Sequence, residues 1–382
     1  MHITGIICEY NPLHLGHQKQ LSHLKAQGHT VVCLMSGNFV QRGQPAILEK
    51  TVRARAAIEC GADLVLELPV TAALSSAEGF AAGGVAILAR LCDGICFGAE
   101  DADCASLMDI AQALLSSEFS PLLRKKLEIG LSFPAARQAA LAEMGLDAAL
   151  LEKPNNILAV EYCKAILAQN AALTPFPIAR GGDYHDTKAH PEDPSATAVR
   201  QLMVAGQDYL AFLPKAAQPV VADSAIHTLE QGEKAILARL RTMTDAEFEA
   251  LPYGSEGLWR KFMHACRAEK SLEDIAAATK SKRYTRTRID RMVMCAFLGL
   301  TAADIAAPIP YCRVLAFNGM GRTILNKTKD SAFFMNIGTD THDPYQELER
   351  RVSSLYGLFA QHPESPDAEE RYRVYYKRGG ST

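Results

Sequence analysis

Several features are missing from this sequence, and each absence excludes a class of protein. None of the ten cysteines forms a C-x-x-C pair. They therefore lack the spacing of zinc ligands, and we interpret them as free thiols in a reducing cytoplasm. No run approaches the ~20 apolar residues that a membrane span requires. Because the first apolar run begins at Ile3, with no basic segment before it, we expect no signal peptide.

An excess of charge of one sign is also missing. The formal net charge is −3, so any nucleic-acid surface has to be local. With 48% hydrophobic and 22% charged residues over 382 positions, the chain has the composition of a globular protein and the length of two domains.

The first half of the chain alternates between short apolar runs and helical patterns. Near-continuous apolar strands separated by helices predict a parallel sheet with both faces covered, and right-handed crossovers then give an α/β, Rossmann-like, doubly wound fold. We assign residues 1–213 to this domain, with a helical insertion at about 103–169 and an edge-like strand at 175–179. Residues 214–382 are predicted to form a second, mainly helical domain.

The N-terminal turn is the most informative stretch. The predicted strand Ile3–Cys8 is followed by Asn11-Pro12, then by His14-Leu15-Gly16-His17, and a helix is expected from about His17 to Ala26. Free N–H groups and the helix dipole attract anions at such a junction. The H-x-G-H pattern is typical of nucleotidylyltransferases, whose histidines bind phosphates and stabilise charge at the α-phosphate as pyrophosphate leaves. Alone it could describe two surface histidines; its position between strand and helix favours a phosphate site.

A second anion site is predicted at Ser195-Ala196-Thr197-Ala198-Val199-Arg200. Hydroxyls and free N–H groups at a helix start, with Arg200 one turn in, make an anion clamp. The pattern resembles the helix start with which nucleotidylyltransferases close their site, where the arginine binds the β and γ phosphates. An ordinary N-cap is the alternative.

Other candidates are less specific. Asn156 and Arg180 could contact adenine or ribose, or could cap a helix. Glu9 is either buried beside the phosphate site or a turn residue without chemistry. Four cations follow the second strand and could reach a phosphate, although Arg53 and Arg55 could equally form a solvated helix face; they are Arg42, Lys50, Arg53 and Arg55.

Residues 280–291 are locally basic, with six cations against the single acid Asp290 and with Tyr284 among them. Such a mixture suits a surface that follows the phosphates of an RNA, and a solvated helix face is the alternative. The cations are Lys280, Lys282, Arg283, Arg286, Arg288 and Arg291.

Seven longer motifs resemble the bacterial tRNA(Met) cytidine acetate ligases, and they span most of the chain. They are E-Y-N-P-x-H-x-G-H at 9–17, M-S-G-N-F-x-Q-R-G at 35–43, G-A-D-L-V-x-E-L-P at 61–69, K-P-N-N-I-L at 153–158, D-Y-H-D at 183–186, S-A-T-x-V-R at 195–200 and K-x-K-R-Y-T-x-T-R at 280–288. The resemblance implies ATP-dependent activation of acetate to acetyl-adenylate, with pyrophosphate released. The acetyl group would then pass to the exocyclic amine of the wobble cytidine of elongator tRNA(Met).

The resemblance also implies roles for particular residues. We expect catalysis to involve His14, His17 and Arg200, and tRNA binding to involve Lys280, Lys282, Arg283, Tyr284, Arg286 and Arg288. The expected ATP-binding residues are Ile7, Cys8, Glu9, Tyr10, Asn11, Pro12, Leu13, His14, Leu15, Gly16, His17, Gln18, Lys19, Gln20, Gly98, Asn156, Arg180, Gly181, Ser195, Thr197 and Arg200. Leu13 and Leu15 depart from the family pattern, which has Phe and a polar residue there.

We expect Mg²⁺ with the ATP, no protein metal site, no stable protein partner, no membrane association and a cytoplasmic location. Two alternatives belong to other classes: a small-molecule adenylyltransferase and a non-catalytic RNA- or ribosome-binding protein with a nucleotide fold. The basic stretch argues against the first, and the intact His14, His17 and Arg200 argue against the second. His185 and Asp186 are possible acceptors of the amine proton.

Overall fold

A computed structural model describes residues 2–180, 194–281, 283–328, 333–335 and 343–378. Its strands are β1 (Ile3–Cys8), β2 (Thr30–Ser36), β3 (Phe39–Val40), β4 (Gln44–Pro45), β5 (Leu64–Leu68), β6 (Gly94–Ala99), β7 (Thr174–Ala179), β8 (Cys312–Phe317), β9 (Phe334–Met335) and β10 (Tyr375–Tyr376).

The helices of the first half surround these strands, and short 3₁₀ turns lie at Ala148–Glu152, Leu210–Phe212 and Gly357–Phe359. The helices up to residue 204 are α1 (Leu15–Ala26), α2 (Lys50–Glu59), α3 (Val70–Ala73), α4 (Ala77–Leu88), α5 (Cys104–Leu115), α6 (Phe119–Glu128), α7 (Phe133–Glu143), α8 (Pro154–Ala168) and α9 (Ala196–Val204).

The later helices form most of the second half. They are α10 (Gln218–Val221), α11 (Leu229–Thr242), α12 (Asp245–Glu249), α13 (Leu258–Ala268), α14 (Leu272–Thr279), α15 (Arg286–Leu298), α16 (Ala302–Ala306), α17 (Gly319–Lys327), α18 (Pro344–Tyr356) and α19 (Ala368–Arg371).

The main sheet has the order β10-β8-β5-β2-β1-β6-β7, with β9 paired to β8. Strands β5, β2, β1, β6 and β7 are mutually parallel, and β7 lies at one edge. Helices cover both faces, since Val32 and Leu34 of β2 pack into one core while Val31, Cys33 and Met35 pack into the other. This alternation follows from the two-residue period of a strand. The predicted doubly wound α/β fold is confirmed, and residues 103–169 are mainly helical.

The second half also contributes to this sheet. Strand β8 pairs antiparallel with β5, and β10 pairs parallel with β8, although only weak strand signals were expected after residue 213. Strand β8 carries Arg313 in its second position, buried beside Glu67 of β5. A buried cation paired in this way interrupts the apolar run by which a buried strand is identified. The division at residue 213 stays a prediction.

The predicted 36–45 loop contains the hairpin β3–β4, and this hairpin connects the two halves. Phe39 packs edge-to-face against Tyr356 and Phe359, within the helical core that α11, α13, α14, α15 and α18 build. At the hairpin tip, Gly43 has φ +74, and a Cβ there would lie 2.5 Å from backbone atoms of Asp290 and Arg291. Only glycine allows this close approach of the hairpin to α15.

In the described part of the chain, no helix combines the length and apolarity needed to cross a membrane.

Candidate functional site

A cavity of about 370 Å³ lies at the carboxyl ends of β1 and β6, between the N-termini of α8 and α9 and the β3–β4 hairpin. This is the edge at which ligands of open parallel sheets bind. Many of the predicted nucleotide-binding residues line it: Ile7, Cys8, Glu9, Tyr10, Asn11, His17, Gln20, Gly98, Arg180, Ser195, Thr197 and Arg200.

Helix α1 begins at Leu15, two residues earlier than predicted, because the two histidines cap it. The Gly16 N–H donates to His14 Nδ1 at 3.1 Å, and the His14 N–H donates to His17 Nδ1 at 3.3 Å. Their rings lie 3.8 Å apart between centroids. Because each Nδ1 accepts a backbone hydrogen bond, each neutral ring carries its hydrogen on Nε2. The turn therefore presents two Nε2–H donors at a helix N-terminus.

Both imidazoles are held in the neutral form. Burial, reinforced by Arg180 and Arg200, lowers the pKa of His14 to about 3. Burial, then His14 and Arg180, lowers the pKa of His17 well below its usual value. His14 Nε2 is buried and has no hydrogen-bond partner among the described residues. An unpaired buried donor is costly, so this atom suits a ligand that supplies an acceptor.

The predicted second anion site has the expected cap and an additional contact. Ser195 Oγ accepts from the Ala198 N–H at 3.0 Å, which makes Ser195 the N-cap of α9. Arg200 donates from Nη1 to the Asn11 carbonyl at 2.7 Å and from Nη2 to Thr197 Oγ1 at 3.1 Å. Arg200 thus joins the start of α9 to the turn after β1, so that two helix N-termini face one cavity.

Some predicted residues do not line the cavity. Asn156 is 1% exposed, and its Oδ1 accepts from the Asp101 N–H at 3.0 Å; its neighbour Asn155 lines the cavity instead and accepts from Arg180 Nη1 at 3.3 Å. Gly181, with His185 and Asp186, lies outside the described residues. The others that do not line it are Pro12, Leu13, His14, Leu15, Gly16, Gln18 and Lys19.

The wall formed by the hairpin, α4 and α8 includes Arg42, which was considered for phosphate binding, together with apolar residues that were not predicted. The Tyr162 ring lies 5.4 Å from Phe97 and is almost fully buried, and burial followed by Cys8 and Glu9 raises its pKa. The M-S-G-N-F-x-Q-R-G and K-P-N-N-I-L motifs each cover part of this wall. The remaining lining residues are Ile6, Val40, Gln41, Arg42, Gln44, Ala77, Phe80, Phe97, Pro154, Asn155, Ile157, Leu158, Tyr162, Pro194 and Ala196.

Two cations considered for phosphate binding serve the framework instead. Arg53 donates to the carbonyls of Glu9, Ser36 and Gly37 and is 1% exposed. Lys50 is buried and pairs with Glu67 at 2.9 Å. Neither lines the cavity. The ends of β1 and β2 are therefore fixed by buried cation-to-carbonyl hydrogen bonds, which are stronger than neutral ones.

The basic segment is more heavily paired than its sequence indicates. Arg286 bonds to Glu273 and Asp290, both at 2.7 Å, and Arg288 donates to the Tyr253 carbonyl. Arg283 pairs with Glu256, but its side chain is 67% exposed. Lys280 is exposed, Tyr284 is half-buried, and Lys282 lies outside the described residues. Of the described arginines in this set, Arg283 is best placed to meet an external anion.

In the described ranges, no group of three His, Cys, Asp or Glu side chains is arranged to hold a metal ion.

The fold and the paired histidines define a nucleotidyl transferase. The family model described as "HIGH Nucleotidyl Transferase" matches residues 1–371. A tRNA(Met) cytidine acetate ligase from Clostridium perfringens is 36% identical, covering 94% of this chain and 95% of its own. The chain belongs to the tRNA(Met) cytidine acetate ligase family.

Two solved structures of Thermotoga maritima TmcAL have the same fold. The apo form I structure is 28% identical with a TM-score of 0.90, covering 99% of this chain and 100% of the other. The structure bound with alpha-thio ATP (form II) is 27% identical with a TM-score of 0.87, again covering 99% of this chain and 100% of the other.

Proposed function

We propose that this protein uses ATP to convert acetate to acetyl-adenylate and transfers the acetyl group to the exocyclic amine of the wobble cytidine of elongator tRNA(Met). The observation that carries the proposal is the meeting of two helix N-termini at a single cavity of a size for a small-molecule ligand, with the neutral imidazole of His17 lining it and that of His14 buried against His17. Family membership supports acetate as the acid that is activated and the tRNA cytidine as the acceptor of the acetyl group.

The ATP half-reaction suits the phosphate end of this cavity. Acetate attacks the α-phosphorus, and the bond to the β-phosphate bridging oxygen breaks to release pyrophosphate. Negative charge grows on the α-phosphate oxygens, and preorganised donors near that charge lower the barrier without transferring a proton. The Nε2–H group of His17, which lines the cavity, fits this role, and the buried donor of His14 lies on the ring beside it. Arg200 and the N-terminus of α9 fit the departing phosphates.

Mg²⁺ would be held mainly by the phosphates. Among the described residues that line the cavity, only Glu9 offers a carboxylate. In nucleotide sites Mg²⁺ often takes phosphate oxygens, waters and only one or two protein ligands. A site with few carboxylates, such as this cavity, is therefore compatible with a phosphate-bound ion. We expect the ion to neutralise phosphate charge.

The RNA would approach from the side of α15. Arg283 is exposed and follows Lys280 in a turn before the helix, and the hairpin that lines the cavity packs on α15. We expect the basic segment to contribute phosphate contacts that position the anticodon arm but carry no sequence information themselves. With tRNA as a substrate, we expect a cytoplasmic enzyme that needs no stable protein partner.

The test is direct incubation with ATP, Mg²⁺, isotopically labelled acetate and elongator tRNA(Met), followed by digestion of the tRNA to nucleosides. Labelled acetylcytidine is the expected product, and its absence would refute the proposal. Acetate-dependent exchange between pyrophosphate and ATP, measured without tRNA, then distinguishes the alternatives. A small-molecule adenylyltransferase would give exchange with another substrate, and a non-catalytic RNA-binding protein would give none.

A further inference from the structure

We infer that Glu9 accepts the proton of the attacking cytidine amine during acetyl transfer. This inference rests on the proposed function and assigns a role to a carboxylate that the expected ATP-binding set contains without explaining its charge.

The charge of Glu9 is the first observation. Among the described residues that line the cavity, Glu9 is the single acid, whereas Arg42, Arg180 and Arg200 supply positive charge. Both ligands of the activation step, ATP and acetate, are anions, and a carboxylate close to them costs free energy through like-charge repulsion. An ionised carboxylate can only accept hydrogen bonds. Its counterpart is a hydrogen-bond donor, and the exocyclic amine is the donor that must lose a proton in the transfer step.

The hydrogen bonding of Glu9 leaves one oxygen for a ligand. Its Oε1 accepts from the Gln41 N–H at 2.9 Å, and its backbone carbonyl accepts from Arg53 Nη1 at 2.6 Å. Within the described residues, no donor is recorded at Oε2. The hairpin thus holds the carboxylate and Arg53 holds the backbone of this half-buried residue, which lines the cavity. A fixed acceptor of this kind does not need to reorganise during the reaction.

The position of Glu9 connects the cavity with the proposed RNA side. The residue that binds its carboxylate, Gln41, belongs to the hairpin whose tip packs on α15, and Arg291 Nη1 lies 3.5 Å from the Gln41 carbonyl. A nucleotide that enters beside α15 would pass this hairpin before it reaches the phosphate end. Glu9 therefore lies at the wall where the amine would arrive.

The transfer step then balances as follows. The amine nitrogen attacks the acetyl carbonyl carbon of acetyl-adenylate, forming a C–N bond while the bond from that carbon to the phosphate oxygen breaks. AMP leaves as an anion and takes the bonding electron pair with it. The nitrogen, which has gained positive charge, passes one proton to Glu9 Oε2, from which it is lost to water. No additional reactant is required.

Glu9→Gln is the decisive variant because its amide oxygen can still accept from the Gln41 N–H while its charge and basicity are lost. Three readouts separate the steps: acetate-dependent pyrophosphate exchange, trapping of acetyl-adenylate by hydroxylamine, and single-turnover acetyl transfer to tRNA. We expect transfer to fall about 100-fold, the usual size of a general-base contribution, and to fall at least about 10-fold further than exchange or trapping does. Affinity for tRNA, measured by fluorescence anisotropy, should not change.

Glu9→Asp keeps the carboxylate and should transfer acetyl groups at least about 10-fold faster than Glu9→Gln. Glu230→Gln, at an exposed acid in the first turn of α11, is the matched control and should behave as wild type. The inference is overturned by normal transfer in Glu9→Gln, or by exchange that falls as far as transfer. Absence of acetylcytidine from the wild type would instead overturn the proposed function.

Discussion

Replacing His17 by alanine tests the proposed activation step most directly. Its Nδ1 accepts the His14 N–H and caps α1, which leaves Nε2–H as the donor for a ligand. Loss of one preorganised donor to developing charge costs about 10²–10³-fold in rate, or about 3–4 kcal/mol. Loss of the cap costs a further ~1 kcal/mol of folding stability, which is too little to unfold a typical protein.

The assay is acetate-dependent pyrophosphate exchange at saturating ATP, with the melting temperature measured alongside. We expect a loss of about 10²–10³-fold in exchange with only a small fall in melting temperature. His23→Ala is the matched control, since His23 is an exposed histidine in the last turn of the same helix. It should leave the exchange rate unchanged.

The pH dependence of the same assay tests the protonation state. Because burial lowers the pKa of both His14 and His17, and that of His14 to about 3, neither ring should take up a proton as the pH falls from about 8 to about 6. Wild-type exchange should therefore lack a step near the ordinary histidine pKa of ~6.5. A step there that disappears in His17→Ala would show that His17 titrates during activation and would refute the electrostatic assignment.

Three further predictions concern tRNA binding, the hairpin and stability. Arg283→Glu should weaken tRNA affinity several-fold in anisotropy titrations and reduce its salt dependence, while exchange stays unchanged; a fall in exchange would contradict this separation. Gly43→Ala should lower the melting temperature more than Gly28→Ala, because both have φ near +75 but only Gly43 lies against the backbone of α15; equal losses would mean that this contact adjusts without cost. Burial and the nearby Glu67 raise the pKa of Glu349 to about 7, so the folded protein keeps a proton that the unfolded chain loses above about 4.5. Unfolding free energy should then fall by up to ~3 kcal/mol between about pH 5 and 8 in urea titrations, and a slope that persists in Glu349→Gln would contradict this.

Local signals allowed much of the site to be predicted. The strand β1, the turn after it and the start of α1 are contiguous, so an apolar run followed by Asn11-Pro12 and the two histidines described one continuous structure. The N-cap Ser195 was predictable for the same reason, because a cap is a contact between residues three apart. The residues that form a cap or a turn lie within a few positions of one another in the sequence.

Contacts between distant residues were not predictable in this way. Tyr162 and Phe97 meet only because α8 returns across the sheet, and the pairing of Arg286 with Glu273 depends on how α14 and α15 pack. Strand β8 was missed because the buried partner that makes Arg313 tolerable, Glu67, lies far away in sequence. Charge counts and apolar runs contain no information about such partners.

The two half-reactions place different demands on the cavity. Arg180, Arg200 and the neutral imidazoles favour anions without consuming a proton, which is what activation of acetate by ATP requires. Transfer to an amine is the step that releases a proton, and the acid available in the described cavity, Glu9, lies at the hairpin end. The same hairpin contacts Glu9 on one side and α15 on the other, and a tRNA seated on α15 would complete the cavity at the end where the acceptor is needed.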